Sequence, residues 1–378
     1  MMRSRALLLP AIVLVLAACA SDPPRVPPSE LTGFDRSATL VPMWRSDLEK
    51  AGTGRFVPHV SDQAVYVADG EGTIRRLARD SGEGVWSSRP ANALVSGVGG
   101  DDETVYVAGR DGEIIALEGE DGEERWRSRA SSEVLVPVST GFGALVVRSA
   151  DGRLAAVDPA TGRERWSGSW TPPALTVNGY SRPLLLNGGV LVGLDDGRLL
   201  ALDNTTGRTL WEAELGRPTG RSEVERLVDI DADVLVDDEG IYAVNFQGRV
   251  ARLEPARGQI DWSVPMSSTT GLALDDDTVY VIDDESVVHA LDKRDGRTRW
   301  SQEALRGRKL TSPLRVGDTL LSGDLEGYVH VLDTSTGEIV GRRQVAGSPI
   351  RARPVGDEQG IVVQSRGGRV VSLRLDRE

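Results

Sequence analysis

The chain has 378 residues, 39% hydrophobic and 27% charged, with 43 glycines and 19 prolines, a globular composition rather than a disordered or collagen-like one. A formal charge of −13 repels a phosphate backbone and argues against nucleic-acid binding. One cysteine and three histidines (His59, His289 and His330) exclude a disulfide framework and multi-cysteine metal sites, and leave little for a histidine-based centre.

At the N-terminus, Arg3 and Arg5 precede the apolar run ALLLPAIVLVLAA, with Pro10 inside it. This run is shorter than the roughly 20 residues needed to cross a bilayer, and its layout is that of a secretory signal. It ends Leu16-Ala17-Ala18-Cys19, which resembles the lipobox of bacterial lipoproteins. The resemblance implies cleavage after residue 18 and lipidation of Cys19. Losing residues 1–18 removes two arginines and no acids, taking the charge from −13 to −15. Ala20 follows the cysteine, where in the lipoprotein sorting scheme an Asp favours inner-membrane retention, so an outer-membrane anchor is expected. Several acyl chains on one residue hold stably where a single chain does not. Residues 20–37, after the lipidated Cys19, carry four prolines and no apolar periodicity. They read as a semi-extended tether of about 55 Å at about 3.1 Å per residue.

Residues 38–378 are one repeated unit. Trp86, Trp126, Trp166, Trp211, Trp262 and Trp300 recur at gaps of 40, 40, 45, 51 and 38 residues. A glycine stands four residues before each: Gly82, Gly122, Gly162, Gly207, Gly258 and Gly296. A seventh unit has Gly337 and places Val340, 40 residues after Trp300, in the tryptophan's setting. Runs such as Val105-Tyr106-Val107 and Val279-Tyr280-Val281 are β-branched and aromatic and predict strands. Asp-Gly or Thr-Gly turns join them into hairpins. The first strands of the units fall near Val65, Val105, Leu145, Leu191, Ile241, Val279, Leu320 and Ile361, which makes eight.

The eighth unit ends at Leu373-Arg374-Leu375 without a tryptophan strand, while Val41-Pro42-Met43-Trp44 has no hairpin before it. The N-terminal strand is therefore expected to complete the last unit. The predicted fold is an all-β, eight-bladed propeller closed in this way, which leaves few free strand edges. An open β solenoid would not need that repair. The tryptophans are read as rings that fill the gap between neighbouring blades. His289 and His330 occupy equivalent places (VVHALD and YVHVLD) and are read as packing residues.

Hairpins of the form x-Leu-Asp-x-x-Thr-Gly-x-x-x-Trp, as in LLALDNTTGRTLW (199–211), resemble the repeats of quinoprotein propellers. Two eight-bladed families carry them: the PQQ-dependent dehydrogenases and the BamB family, lipoproteins of the outer-membrane β-barrel assembly machinery. The dehydrogenases are longer, set a vicinal cysteine pair against the quinone and need a calcium site with a catalytic Asp. This chain has no cysteine after Cys19. Its acid runs, at Asp237-Asp238-Glu239, Asp275-Asp276-Asp277 and Asp283-Asp284-Glu285, fall in predicted turns. No Gly-x-Ser-x-Gly elbow, His-Glu-x-x-His motif or phosphate-cradling loop is present. No catalytic residue, cofactor or metal site is expected, and a quinone-enzyme relative is kept only as an alternative.

The resemblance to the BamB family covers lipobox, tether and blades. It includes Glu223-Val224-Glu225-Arg226-Leu227-Val228-Asp229-Ile230-Asp231, similar to the family's E-[IV]-x-R-L-x-D-[VI]-D segment. It also includes Leu310-Thr311-Ser312-Pro313 and Gly323-Asp324-Leu325-Glu326-Gly327-Tyr328-Val329-His330. It implies a non-enzymatic scaffold at the outer membrane, facing the periplasm, that binds the POTRA domains of the barrel subunit BamA. It leaves room for unfolded β-barrel clients as partners through β-augmentation. A propeller lipoprotein with another periplasmic partner is the further alternative.

The two longest gaps hold the inserts 216–233 and 170–182, and long loops on a rigid scaffold are where binding residues sit. In the family, two adjacent loops grip the POTRA domains, one through two aspartates and one through two aliphatics and an arginine. By position these are Asp229 and Asp231, in the segment that holds Arg226, and Leu175, Val177 and Asn178. Asn178 stands where the arginine is expected, so the charge has moved, to Arg182 for example, or the contact is lost. Residues two apart in an extended segment point the same way, so Asp229 and Asp231 are expected to offer two carboxylates to a basic partner. Leu175 and Val177 would offer an apolar pair. A solvated acidic turn is the other reading of the aspartates.

Overall fold

The computed structural model describes residues 26–49, 54–177 and 181–377. The predicted signal 1–18, Cys19 and Asn178 lie outside the described residues. Among the described residues the secondary structure is all strand, in eight four-stranded antiparallel sheets. Seven are formed by consecutive strands, at 59–88, 99–129, 139–169, 184–214, 235–265, 271–302 and 314–344, and are numbered here blades 1 to 7. Blade 8 takes its three inner strands from 355–377 and its outermost from Ala38–Asp47, which pairs antiparallel with Arg369–Arg377. The expected N-terminal closure is present, and the open solenoid is excluded.

The second strand of each blade is buried along its length, as in Ala64–Ala68 and Thr278–Ile282, except at Gly189, which opens that of blade 4. Alternate side chains leave opposite faces of a strand, and here both faces are covered. Val65 and Val67 pack with Val362 and Val370 of blade 8, while Tyr66 and Ala68 pack with Val105 and Val107 of blade 2. The apolar core is thus not one mass but eight clusters, one at each interface between blades. Closing the ring buries the last of them.

The spacing of Gly and Trp has one cause. In each of blades 1 to 7 the glycine at the Gly82 position adopts a left-handed turn, and a Cβ on it would sit about 2.5 Å from the tryptophan ring of the preceding blade. At Gly162, φ is +68° and the distance to Trp126 is 2.5 Å. The indole N–H of Trp126 then donates to the carbonyl of Pro159 in the same turn at 2.8 Å. The pattern repeats around the ring, and Trp44 of the closing strand completes it on Gly82 and the carbonyl of Arg79. The tryptophans are therefore locks between blades, as the sequence suggested.

Three expectations need correction. The seventh lock position is Gly341 rather than Val340, because Val331 pairs with Gly341 as Ala290 pairs with Trp300. Blade 8 has no outer turn to receive a ring there. The N-terminal strand enters instead, and a Cβ on Gly341 would meet the carbonyl oxygen of Ala38 at 2.8 Å. Second, the strands read as first in each unit are second. A shorter strand, such as His59–Val60 or Gly99–Gly100, precedes each and lies nearest the ring axis. Third, residues 26–37 are not a free tether. The Ser29 amide donates to the carbonyl of Arg306, Arg342 donates to that of Thr32, and Arg342 lies over the ring of Phe34. Leu31 and Phe34 pack on the cluster between blades 6 and 7.

Candidate partner-binding site

The two long inserts lead into blades 4 and 5 and are tied together. Asp229 Oδ2 accepts a hydrogen bond from the Val177 amide at 2.6 Å, and Asp233 Oδ1 accepts one from the Arg182 amide at 3.0 Å. Residues 228–233 form no strand. Their backbone is stitched to the blades instead: Ile230 donates to the carbonyl of Leu194, and Phe246 donates to that of Asp229. Asn245 Nδ2 adds a bond to the carbonyl of Val228 at 3.3 Å.

The expectation that Asp229 and Asp231 offer their carboxylates to solvent is not met. They are 0% and 4% exposed. The period of two holds for a strand on a surface, and this segment is an irregular one pressed between blades. Both aspartates join Asp195, and one carboxylate oxygen of each of the three lies within 4.8 Å of the others. Arg148, 4% exposed, supplies a counter-charge: its guanidinium pairs with Asp195 at 2.6 Å and donates to the carbonyls of Ser181 and Gly193. Burial pushes the Asp229 carboxyl up to about 6, against the pull of the Val177 amide and with a further push from Asp195. Burial also raises Asp195, which Arg148 opposes.

What faces the solvent is different. Leu175 is 41% exposed and Val177 half-buried. On the other insert Val224 is 60% exposed, at the tip of a turn in which Glu225 accepts from the amides of Arg221 and Ser222. These bonds hold the Glu225 carboxyl below the usual carboxylate range. Arg226 is half-buried and ion-paired with Glu223. The arrangement is two apolar tips on loops that a buried, partly neutralised acid knot holds in place. Arg182 turns away from these tips, and its side chain lines the central cavity of the ring.

Arg148, Asp195, Asp233 and Val224 were not singled out from the sequence. One signal was available. Arg148 ends the strand ALVVR at a place where the other blades carry Ala68, Ala108, Gly193, Val244, Ile282, Gly323 and Gln364. A lone cation in that column marks a buried partner. Two of the histidines, His289 and His330, make contacts inside their own blades. His330 is wholly buried, its Nε2 on Asp324 at 2.9 Å and its Nδ1 accepting from Arg342 at 3.1 Å. Asp283 caps the turn amides of Glu285 and Val287 and meets His289 at 3.1 Å.

Comparison with known proteins places this geometry. The family model described as outer membrane protein assembly factor BamB matches residues 70–302 and 284–377. Proteins of that name from Alkalilimnicola ehrlichii and Pseudomonas aeruginosa are 45% and 40% identical, covering 98% and 97% of this chain and 97% of each relative. The protein of that name from Escherichia coli is 30% identical, over 98% of this chain and all of its own length. The crystal structure of BamB from Moraxella catarrhalis superposes with a TM-score of 0.82 at 26% identity, covering 89% of this chain and 99% of that one. A quinohemoprotein alcohol dehydrogenase from Comamonas testosteroni reaches 0.72 at 14% identity, over 88% and 76% of the two chains, and shows the shared propeller alone. Given the match along both inserts and around the ring, the chain belongs to the BamB family of outer membrane protein assembly factors.

Proposed function

We propose that this chain serves the outer-membrane assembly complex as a periplasm-facing scaffold, anchored by lipid at Cys19, and that it grips the POTRA domains of BamA through the two tied inserts. The relatives' names carry the assembly role, that of a factor and not an enzyme. One observation carries the site: Asp229 and Asp233 clamp the backbone of the neighbouring insert, and so hold Leu175 and Val224 exposed on pre-ordered loops. Ordering before contact lowers the entropic cost of binding, and an exposed aliphatic with a polar surround is a usual anchor. In this reading Leu175, Val177 and Val224 meet the partner, and Arg226 sits at the rim. Asp229 and Asp231 act from behind, as positioning groups.

The test is co-purification of the lipid-free chain with the POTRA region of the same organism's BamA. Leu175→Asp and Val224→Asp change only exposed tips and are expected to abolish or strongly weaken capture while leaving the fold intact. Capture by both variants at the parental level would move the site elsewhere. No capture by the folded parent would remove the POTRA assignment.

A further inference from the structure

The ring encloses a cavity of about 430 Å³ on its axis. It is lined by the segments that lead into the innermost strands, and the residue two places before each such strand is equivalent from blade to blade. Arg182 holds that place in blade 4 and Arg353 in blade 8, half a ring apart. Both line the cavity and both are half-buried.

Arg182 and Arg353, with Arg55, Lys309 and Arg351 around them, form no side-chain hydrogen bond or ion pair among the described residues. The two most deeply buried arginines among the described residues are, by contrast, paired with acids: Arg148 with Asp195, and Arg308 with Asp324 and Glu326. The acids lining the same cavity are already engaged. Asp283 caps a turn and meets His289, and Asp284 accepts from Ser267 and Thr269. Asp233 accepts the Arg182 amide, and Asp231 belongs to the acid knot. Burial holds the Arg353 guanidinium below the usual arginine range; Asp233 opposes this and the like charge of Arg182 adds to it. Two guanidiniums that feel each other across an axis, with no ion pair between them and any carboxylate, are costly to keep. A planar fork is also the group that best grips carboxylate or phosphate oxygens.

We infer that the axial cavity is a binding site for a compact multivalent oxyanion, a phosphate or a small polycarboxylate, held between Arg182 and Arg353. The cavity volume lies in the range of small-molecule sites. Bound there, the anion neutralises both guanidiniums and joins blade 4 to blade 8, so it stabilises the ring across its diameter as well as occupying it.

The test is calorimetric titration of the purified chain with citrate and, separately, inorganic phosphate, at an ionic strength fixed with sodium chloride. Saturable one-site binding is expected for at least one of them, and which one binds distinguishes the carboxylate from the phosphate source. Arg182→Gln and Arg353→Gln should each weaken it about tenfold or more, the worth of one charged hydrogen-bonding group. Arg374→Gln, on the outer surface, should change nothing. Without anion, Arg353→Gln should melt at or above the parental temperature, because it removes a partly desolvated charge with no ion pair; a structural arginine would give the opposite sign. Arg353→Lys keeps the charge without the fork and should fold normally while binding more weakly. Absence of saturable binding by both anions, parental affinity in the two glutamine variants, or a lower melting temperature of anion-free Arg353→Gln would each overturn the assignment.

Discussion

Asp229→Asn separates a carboxylate kept for display from one kept for positioning. The Asp229 carboxyl is pushed from its ordinary 3.8 up to about 6, first by burial. The unfolded chain therefore gives up this proton before the folded one does. The stability that protonated Asp229 contributes is complete below about pH 4 and is lost as pH rises through about 6. Two pKa units are worth about 3 kcal/mol. Asparagine carries no such penalty, its oxygen can still accept the Val177 amide, and its Nδ2 faces the carboxylates of Asp195 and Asp231. Asp229→Asn is thus expected to stabilise the propeller by up to about 3 kcal/mol at pH 8, about 4 °C in Tm for a ring of this length. The gain should shrink towards zero at pH 4. Differential scanning calorimetry of both proteins across that range reads the effect directly. An asparagine variant that is less stable at pH 8, or an offset that does not change with pH, would refute the argument that Asp229 is held against its own desolvation.

Gly162→Ala places a Cβ at φ +68°, 2.5 Å from the Trp126 ring, whereas Gly143→Ala has φ +72° with open space around it. The first should cost several times the roughly 1 kcal/mol of left-handed strain that the second costs, measured by thermal unfolding. His330, buried between Asp324 and Arg342, has its basicity lowered first by burial. Its nitrogen-15 shifts should report the neutral Nε2–H tautomer persisting below pH 6.5, and a ring that titrates like free imidazole would contradict the network. The unfolded histidine takes its proton first, so this site loses stability as pH falls below about 6.5. Phe34→Ala removes the ring under Arg342, a contact worth about 1 kcal/mol, and should speed amide exchange at Ser29 and Ser37 without touching the blades.

The outer three strands of every blade were legible because each is four to ten residues long and β-branched or alternating, most of them bounded by Gly turns. The innermost strands were not. They are two to four residues long, and Gly99–Gly100 carries no side-chain pattern at all. The axial cavity, built from the segments before them, was therefore invisible too, and with it Arg182 and Arg353 as a pair. Counting forty residues from Trp300 led to Val340. The strand register, with its bulge between Val331 and Leu332, shows that Gly341 holds the lock position. The inserts were found by gap length, but the direction of Asp229 and Asp231 was not. It depends on Arg148 and Asp195, which arrive from other blades, and no local period encodes that.

Arg182 belongs to both proposed sites. Its amide is one of the two ties between the inserts, and its side chain lines the axis. An anion that fixes this side chain also fixes the end of the insert that presents Leu175 and Val177. Coupling between two binding events is reciprocal. An anion that tightens capture of the POTRA region by some factor must itself bind tighter by that factor once the POTRA region is bound. The direction expected is positive, because the first ligand removes ordering entropy that the second would otherwise lose. The measurement is POTRA affinity with and without saturating citrate or phosphate, repeated in Arg353→Gln, which leaves the inserts untouched. Equal affinities in the parent under both conditions would show that the loop and the axis act independently, whatever each of them binds.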